Sequence, residues 1–177
     1  MMYGIISTIK TILYKGNKVQ KEPMLKVTFD KLSTELEHLK TVERGEIAHI
    51  IDVARELGDL KENAEYHAAK DKQGMMEARI LDLTDLVGRA QIIDPSTLAH
   101  ERISFGSRVE LIDQEDDSEI IYTIVGAQES DLSKGWISSG SPMARALLGK
   151  EEGDEASITL PSGKKTFDIE SVEAMEL

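Results

Sequence analysis

The sequence predicts an α+β protein in two parts, an antiparallel α-helical coiled-coil hairpin followed by a small α+β domain. Three observations predict it. Between residues 60 and 90, Tyr66, Ala69, Gln73, Met76, Ile80, Leu83, Val87 and Ala90 recur at alternating steps of three and four, which is a heptad seam. The strong stop signal within the helical region is Leu57–Gly58–Asp59–Leu60, where glycine closes one helix and aspartate can cap the next. Beyond Asp94–Pro95–Ser96 the pattern changes to the alternating and β-branched runs of strands.

Taken in order, residues 1–23 form an extension of unknown role. Ile5, Ile6, Ile9, Ile12 and Leu13 fall at helical spacing among Lys10, Lys15, Lys18 and Lys21. The segment lacks the basic start and small-residue cleavage site of a secretory signal. A floppy extension is the plain reading, a membrane-surface helix the sharper one, and Met24 offers an alternative start. Residues 24–95 form the hairpin. Leu32, Leu36 and Leu39, then Ile47, Ile50, Ala54 and Leu57, mark its first helix, and a phase slip containing Gly45 predicts a break or bend near Thr41–Glu46. A second helix over Leu60–Ala90 would be about 45 Å long at 1.5 Å per residue. Two long helices with so short a joint run antiparallel and place residues 58–62 at the far end of a projecting rod. Residues 98–177 form the second domain. Its expected strands are Ser107–Ile112, Ile120–Val125, Ala156–Leu160 and Thr166–Ile169, the last two joined by a turn over Pro161–Lys165. A short helix over Met143–Leu148 has Ser141 as N-cap, Pro142 at its first position and Gly149 after its end.

Composition excludes several functions. The 177 residues carry 21 Lys+Arg against 33 Asp+Glu, a net charge of −12, which argues against bulk nucleic-acid binding. The charge is uneven: residues 98–177 hold 7 basic and 17 acidic side chains, so any phosphate contact belongs to the hairpin. No cysteine is present, which removes disulfides, thiol chemistry and Cys-ligated metals. His38, His49, His67 and His100 are scattered, and phosphate-loop and nucleophile-elbow motifs are absent. No apolar run is long enough to span a membrane.

Asp59 and Glu62 are the residues that carry chemistry, and two readings stay open. D-x-x-E at a helix start is a capping box, favoured further by the positive helix end. Alternatively the two carboxylates face outward and hold a divalent cation. Mg²⁺ takes oxygen ligands, commonly one or two carboxylates with waters and phosphates. Two acids alone make a poor site, and become effective where a partner already supplies phosphates and a first metal. Arg55 and Lys70 flank the tip and can touch a nucleic-acid end, or are ordinary solvated charges. Tyr66 reads as a seam residue, and Met75–Met76 as packing.

Residues 54–69, ARELGDLKENAEYHAA, resemble the tip signature of the bacterial Gre transcript cleavage factors, and residues 137–150, ISSGSPMARALLGK, are similar to that family's C-terminal domain. The likeness covers about residues 25–177. Gly45 stands where the family usually has proline after a basic residue, here Arg44, and the segment before Met24 has no counterpart.

The resemblance implies a coiled coil that enters the secondary channel of bacterial RNA polymerase and an FKBP-like domain that docks at its mouth. Asp59 and Glu62 then help hold the second Mg²⁺ of the polymerase's own active centre, which cuts backtracked RNA near its 3′ end and rescues arrested complexes. The factor itself is no enzyme and binds no cofactor alone. Arg55 and Lys70 match the basic residues near the RNA; Ser141, Pro142, Met143 and Ala144 match the docking region. A cytoplasmic monomer with no membrane partner is expected. A prolyl isomerase is the alternative for the second domain, but Phe105, Tyr122, Trp136 and Phe167 are few for an aromatic pocket. A partner adaptor with a merely structural tip is the other.

Overall fold

The computed structural model describes residues 21–160 and 163–176. The elements run β1 (Glu22–Met24), α1 (Lys26–His38), a π-helical turn (Leu39–Glu43), α2 (Arg44–Glu56), α3 (Ala64–Arg89), β2 (Ala90–Ile92), β3 (Ser107–Asp113), β4 (Glu119–Val125), β5 (Trp136–Ser138), α4 (Pro142–Leu147), β6 (Glu155–Leu160) and β7 (Gly163–Ala174). Single 3₁₀ turns lie at Pro95–Thr97 and Leu132–Lys134.

The hairpin is held by a seam of Leu32, Leu39, Ile47, Ile51, Ala69, Met76, Ile80 and Leu83, with Phe29, Leu36, Tyr66 and Val87 packed along it. The seam spacing explains the π turn. Leu32 to Leu39 is seven residues and Ile47 to Ala54 is seven, but Leu39 to Ile47 is eight, one more than two helical turns supply. A π-helical turn absorbs the surplus residue without ending the helix. The expected break near Thr41–Glu46 is therefore corrected: α1 and α2 are continuous through the turn, and Gly45 lies inside α2 with open space around its Cα. The same change of phase corrects the expected seam of α2. Ile51 is buried, whereas Ile50 and Leu57 are 47% and 68% exposed. Two bidentate pairs tie the rods outside the seam, Arg44 to Glu77 at 2.7 and 2.6 Å and Arg79 to Glu35 at 2.7 and 3.0 Å. The guanidinium of each holds its carboxylate partner below the usual range. Being exposed, they set register more than stability.

α3 begins at Ala64, not Leu60, and its 26 residues give a rod of about 39 Å. At its base β1 and β2 pair in parallel, Glu22 opposite Ala90 and Met24 opposite Ile92. The folded hairpin thus begins with Glu22 and Pro23, two residues before the expected boundary. Met24 is a fully buried core residue. The remaining expectations for the extension, residues 1–20, lie outside the described residues.

The second domain is a five-stranded mixed sheet in the order β5-β4-β3-β7-β6, antiparallel except for β4 with β5. β3 alternates buried and half-buried residues along its whole length, as a strand with one covered face requires. Val109, Leu111, Ile124, Ile137, Phe167 and Ile169 form its core, which Ala144 and Leu147 of α4 complete. The last two strands reach closer together in sequence than expected: Leu160 of β6 pairs with Gly163 of β7. Asp113, fully buried, accepts from the Lys165 ammonium at 2.5 Å and from the Glu115 amide at 3.0 Å. These partners hold its carboxyl below the usual aspartate range. A depressed native value means that its contribution is present above the unfolded-state value and is lost as pH falls through the native one. Asp113→Asn should therefore flatten the acid limb of a thermal-stability profile measured against pH.

A third cluster joins the halves: Leu25, Phe105, Val125 and Met175, with Ile93 and Trp136 against them. The Leu25 amide donates to Glu129 Oε1 at 2.9 Å, and the Ile93 amide to the Met24 carbonyl at 3.0 Å. In the linker, His100 is buried between Ser107 Oγ and the Pro95 carbonyl, both at 2.8 Å. The carbonyl can only accept, so Nε2 is the donor of that bond.

Candidate functional site

Every residue from Arg55 to Glu62 is exposed, and together they form the end of the rod remote from the β1–β2 base. α2 stops because Gly58 takes the left-handed conformation, φ +77°, and its amide donates to the Arg55 carbonyl at 3.2 Å. Asp59 follows at φ +33°, and the Glu62 amide donates back to the Asp59 carbonyl at 3.1 Å, closing a turn over the four residues. Asn63, not Asp59, caps α3. Its Oδ1 accepts from the Tyr66 amide at 3.0 Å, and its Nδ2 donates to the Ala54 carbonyl at 2.7 Å. One side chain thereby satisfies an orphan amide of α3 and an orphan carbonyl of α2, and staples the two helix ends together. Asn63→Ala should cost about 1–2 kcal/mol, cap and staple together. Hydrogen exchange would show it as faster exchange confined to the residues beside the tip.

The consequence for Asp59 and Glu62 is direct. The capping-box reading is corrected, because Asn63 has taken the cap and neither carboxylate has a hydrogen bond or ion pair among the described residues. Both acids stand at the extremity of the rod, on either side of one turn, beside a shallow hollow that also includes Leu57, Asn63 and Glu65. No group of three or more His, Asp or Glu side chains comes together as a metal site among the described residues. Two unpaired carboxylates offer hard oxygen donors that suit Mg²⁺, but too few to hold it unaided. The arrangement suits half of a site, completed by donors from elsewhere.

Arg55 lies one residue from the end of α2 and makes a loose contact with Asp52 at 3.7 Å. Lys70 lies six residues into α3, about 9 Å below its start, and donates to Gln73 Oε1 at 2.6 Å. Both are exposed, so the hairpin does bring two cations near the acids. Tyr66 is half-buried against the seam, as its heptad position indicates.

The second signature sits in the globular half, around α4. Ser141 Oγ accepts from the Ala144 amide at 3.1 Å, and Pro142 opens the helix, exposed. Met143 packs against the core and Ala144 is wholly buried. Of the four residues expected at a docking surface, Ala144 cannot reach a partner; Ser141 and Pro142 present the surface, with Met143 behind them. Arg145, which the sequence did not single out, clamps the Gly140 carbonyl through Nε and Nη2 at 2.9 and 2.7 Å and fixes that loop. Among the described residues the four aromatics of the second domain divide between two clusters, Phe105 with Trp136 at the joint and Phe167 with Tyr122 in the sheet core.

Sequence reasoning missed Asn63, although Asn ranks with Asp as an N-cap and stands just before the regular heptad series. It also missed the exposed apolar residues that surround the acids. Leu57 and Leu60, 68% and 41% exposed, carry no signal in a pattern that assigns leucine to the seam.

Comparison with known proteins gives two family matches, one described as "Transcription elongation factor, N-terminal" over residues 22–92 and one as "Transcription elongation factor, GreA/GreB, C-term" over residues 98–174. A transcription elongation factor GreA of a Sulfurovum species is 70% identical over 154 residues, covering 87% of this chain and 95% of that one. The protein of that name from Nautilia profundicola is 55% identical over the same shares. The one from Helicobacter pylori is 54% identical over 85% of this chain and 92% of its own. Among solved structures, the GreA factor homolog Gfh1 of Thermus thermophilus aligns at 30% identity over 88% of this chain and all of that one, with a TM-score of 0.40.

Proposed function

The chain belongs to the GreA/GreB family of transcription elongation factors, and from that premise we propose that it stimulates RNA polymerase to cleave backtracked RNA at the 3′ end. The observation that carries this reading is the pair of unengaged acids, Asp59 and Glu62, on the extremity of a rod about 39 Å long. An acidic cap would have spent its carboxylates on backbone amides; here Asn63 does that work and the acids are free to act on something outside the molecule.

In this mechanism the hairpin enters the secondary channel of the polymerase and the tip reaches the catalytic centre. Asp59 and Glu62 supply carboxylate oxygens to a Mg²⁺ shared with that centre. The chemistry such an ion would supply when bound is a lowered pKa for its water and stabilisation of the leaving oxygen of a phosphodiester. The chain's own contribution is placement. The turn over residues 59–62 holds both acids beside one hollow at the end of the rod, and the Asn63 staple ties that turn to both helices. Arg55 and Lys70 meet the phosphates of the displaced RNA, while the acidic globular half stays outside, repelled by nucleic acid. Ser141 and Pro142, backed by Met143, contact the channel mouth. In this reading the catalytic machinery belongs to the polymerase, and the chain lends it ligands. It works as a cytoplasmic monomer. No described helix is long and apolar enough to cross a membrane.

The test is a halted, backtracked elongation complex with labelled RNA. Added wild-type chain should shorten the RNA from its 3′ end and restore elongation. RNA that stays full length at saturating chain would refute the reading. Catalysis of a proline-limited refolding reaction would favour the isomerase instead.

A further inference from the structure

At the base of the rod, the Met24 carbonyl accepts from the Ile93 amide at 3.0 Å on the β2 side. The Pro23 carbonyl and the Leu25 amide therefore serve the other edge of β1. There the Leu25 amide meets Glu129, 104 residues away, and donates to its Oε1 at 2.9 Å. Glu129 Oε2 is buried and has no hydrogen-bond partner among the described residues. It lies over Gly126 beside the Pro23 carbonyl oxygen, each 2.3 Å from where a Cβ on Gly126 would stand. Glycine is required at 126 for this close approach of side chain and backbone. The Glu129 amide donates to the Gly126 carbonyl at 3.3 Å and closes the turn that folds the side chain back. The remainder of the joint is the apolar cluster of Leu25, Phe105, Val125 and Met175. Apolar contacts are non-directional, so they resist separation of the halves more than a change of angle.

We propose that Glu129 is a positioning residue for RNA cleavage: its carboxylate stands in for a strand along the free edge of β1 and sets the angle between rod and globular half. That angle decides where Asp59 and Glu62 arrive. The role rests on the cleavage reading above. On a rod of about 39 Å, a tilt of about 1.5° carries the tip through about 1 Å. A misplacement of about 1 Å costs on the order of 100-fold where catalytic groups must meet. Glu129 acts only through the tip and touches no reacting group. Three substitutions separate its contributions. Glu129→Ala leaves the Leu25 amide without its acceptor. Gly126→Ala keeps the carboxylate, but its methyl group claims the space of Oε2 and of the Pro23 oxygen. Glu129→Gln keeps an oxygen for Leu25 and turns an N–H toward the Pro23 carbonyl, completing a pair that the carboxylate leaves half-made.

The full chain has no cysteine, so spin labels on Met75→Cys in α3 and Glu152→Cys in the globular half, both exposed, report the joint as a distance distribution by double electron–electron resonance. Glu129→Ala and Gly126→Ala should each widen that distribution at least about twofold, and Glu129→Gln should leave it as narrow as the parent, as a hydrogen-bonded clasp requires. On a backtracked complex, the two alanine variants without labels should lose at least about tenfold in cleavage rate at saturating chain, with the half-saturating concentration unchanged, and Glu129→Gln should restore the rate. Equal widths in parent and Glu129→Ala would overturn the proposal. So would a widened joint with undiminished cleavage, or Glu129→Gln behaving like Glu129→Ala. A wild type that stimulated no cleavage would sink the underlying reading and this role with it, whereas the distance widths would still decide whether Glu129 holds the joint.

Discussion

Asp59→Asn and Glu62→Gln should each abolish most of the stimulated RNA cleavage while leaving the fold, and the affinity for polymerase, where they were. Outer-shell partners of a metal are worth about 10–100-fold in affinity or activity, so loss of a direct carboxylate ligand should cost at least about 100-fold in cleavage rate. Stability should change by no more than about 0.5 kcal/mol, the range for surface substitutions away from special features. Both side chains are exposed and without partners among the described residues. Asn at position 59 is also at ease with φ +33°, because a short polar side chain tolerates left-handed backbone. Cleavage kinetics on a backtracked complex, with circular dichroism and a polymerase-binding titration as controls, separate these effects. A structural tip would give the opposite pattern, with stability lost and cleavage kept.

Leu83→Ala should have the largest effect on stability, about 3 kcal/mol and within the range of about 2–5 expected for buried leucine truncations. Leu83 is wholly buried in the hairpin seam. That seam and the sheet core share no side chain, and the joint cluster between them is small. The damage should therefore stay in one half. Amides of α1, α2 and α3 should lose hydrogen-exchange protection together, while those of β3, β4 and β7 keep theirs. Cleavage stimulation should survive in the cold, where the hairpin is still formed, and fail at a lower temperature than in the wild type.

The features legible in the sequence were those written in local periodicity. The heptad series from Tyr66 to Ala90 fixed the seam of α3, and Gly58 fixed the end of α2, because each depends on neighbours within one or two turns. Ser141, Pro142 and Gly149 marked α4 for the same reason. What escaped depended on counting across a defect or on partners distant in the chain. The eight-residue step from Leu39 to Ile47 was visible as a slip, but a break and a π turn produce the same slip. Choosing between them needed the partner helix, whose continuous seam keeps α1 and α2 in one rod. The β1–β2 pair joins residues 22–24 to 90–92, and three-residue strands carry too little alternation to be read. At the tip, Asp59, Glu62 and Asn63 all suit a helix start. Only the left-handed turn at Gly58 and Asp59 pushes the cap on to Asn63, and that displacement is what frees the two acids.

The magnesium dependence of cleavage tests the central claim most directly. Saturating wild-type chain should lower the Mg²⁺ concentration needed for half-maximal cleavage several-fold relative to polymerase alone, as added carboxylate ligands require. Saturating Asp59→Asn/Glu62→Gln chain, bound equally well, should leave it at the value for polymerase alone. If wild type and double variant shifted that midpoint equally, the acids would not be metal ligands, and the account of the tip would be wrong.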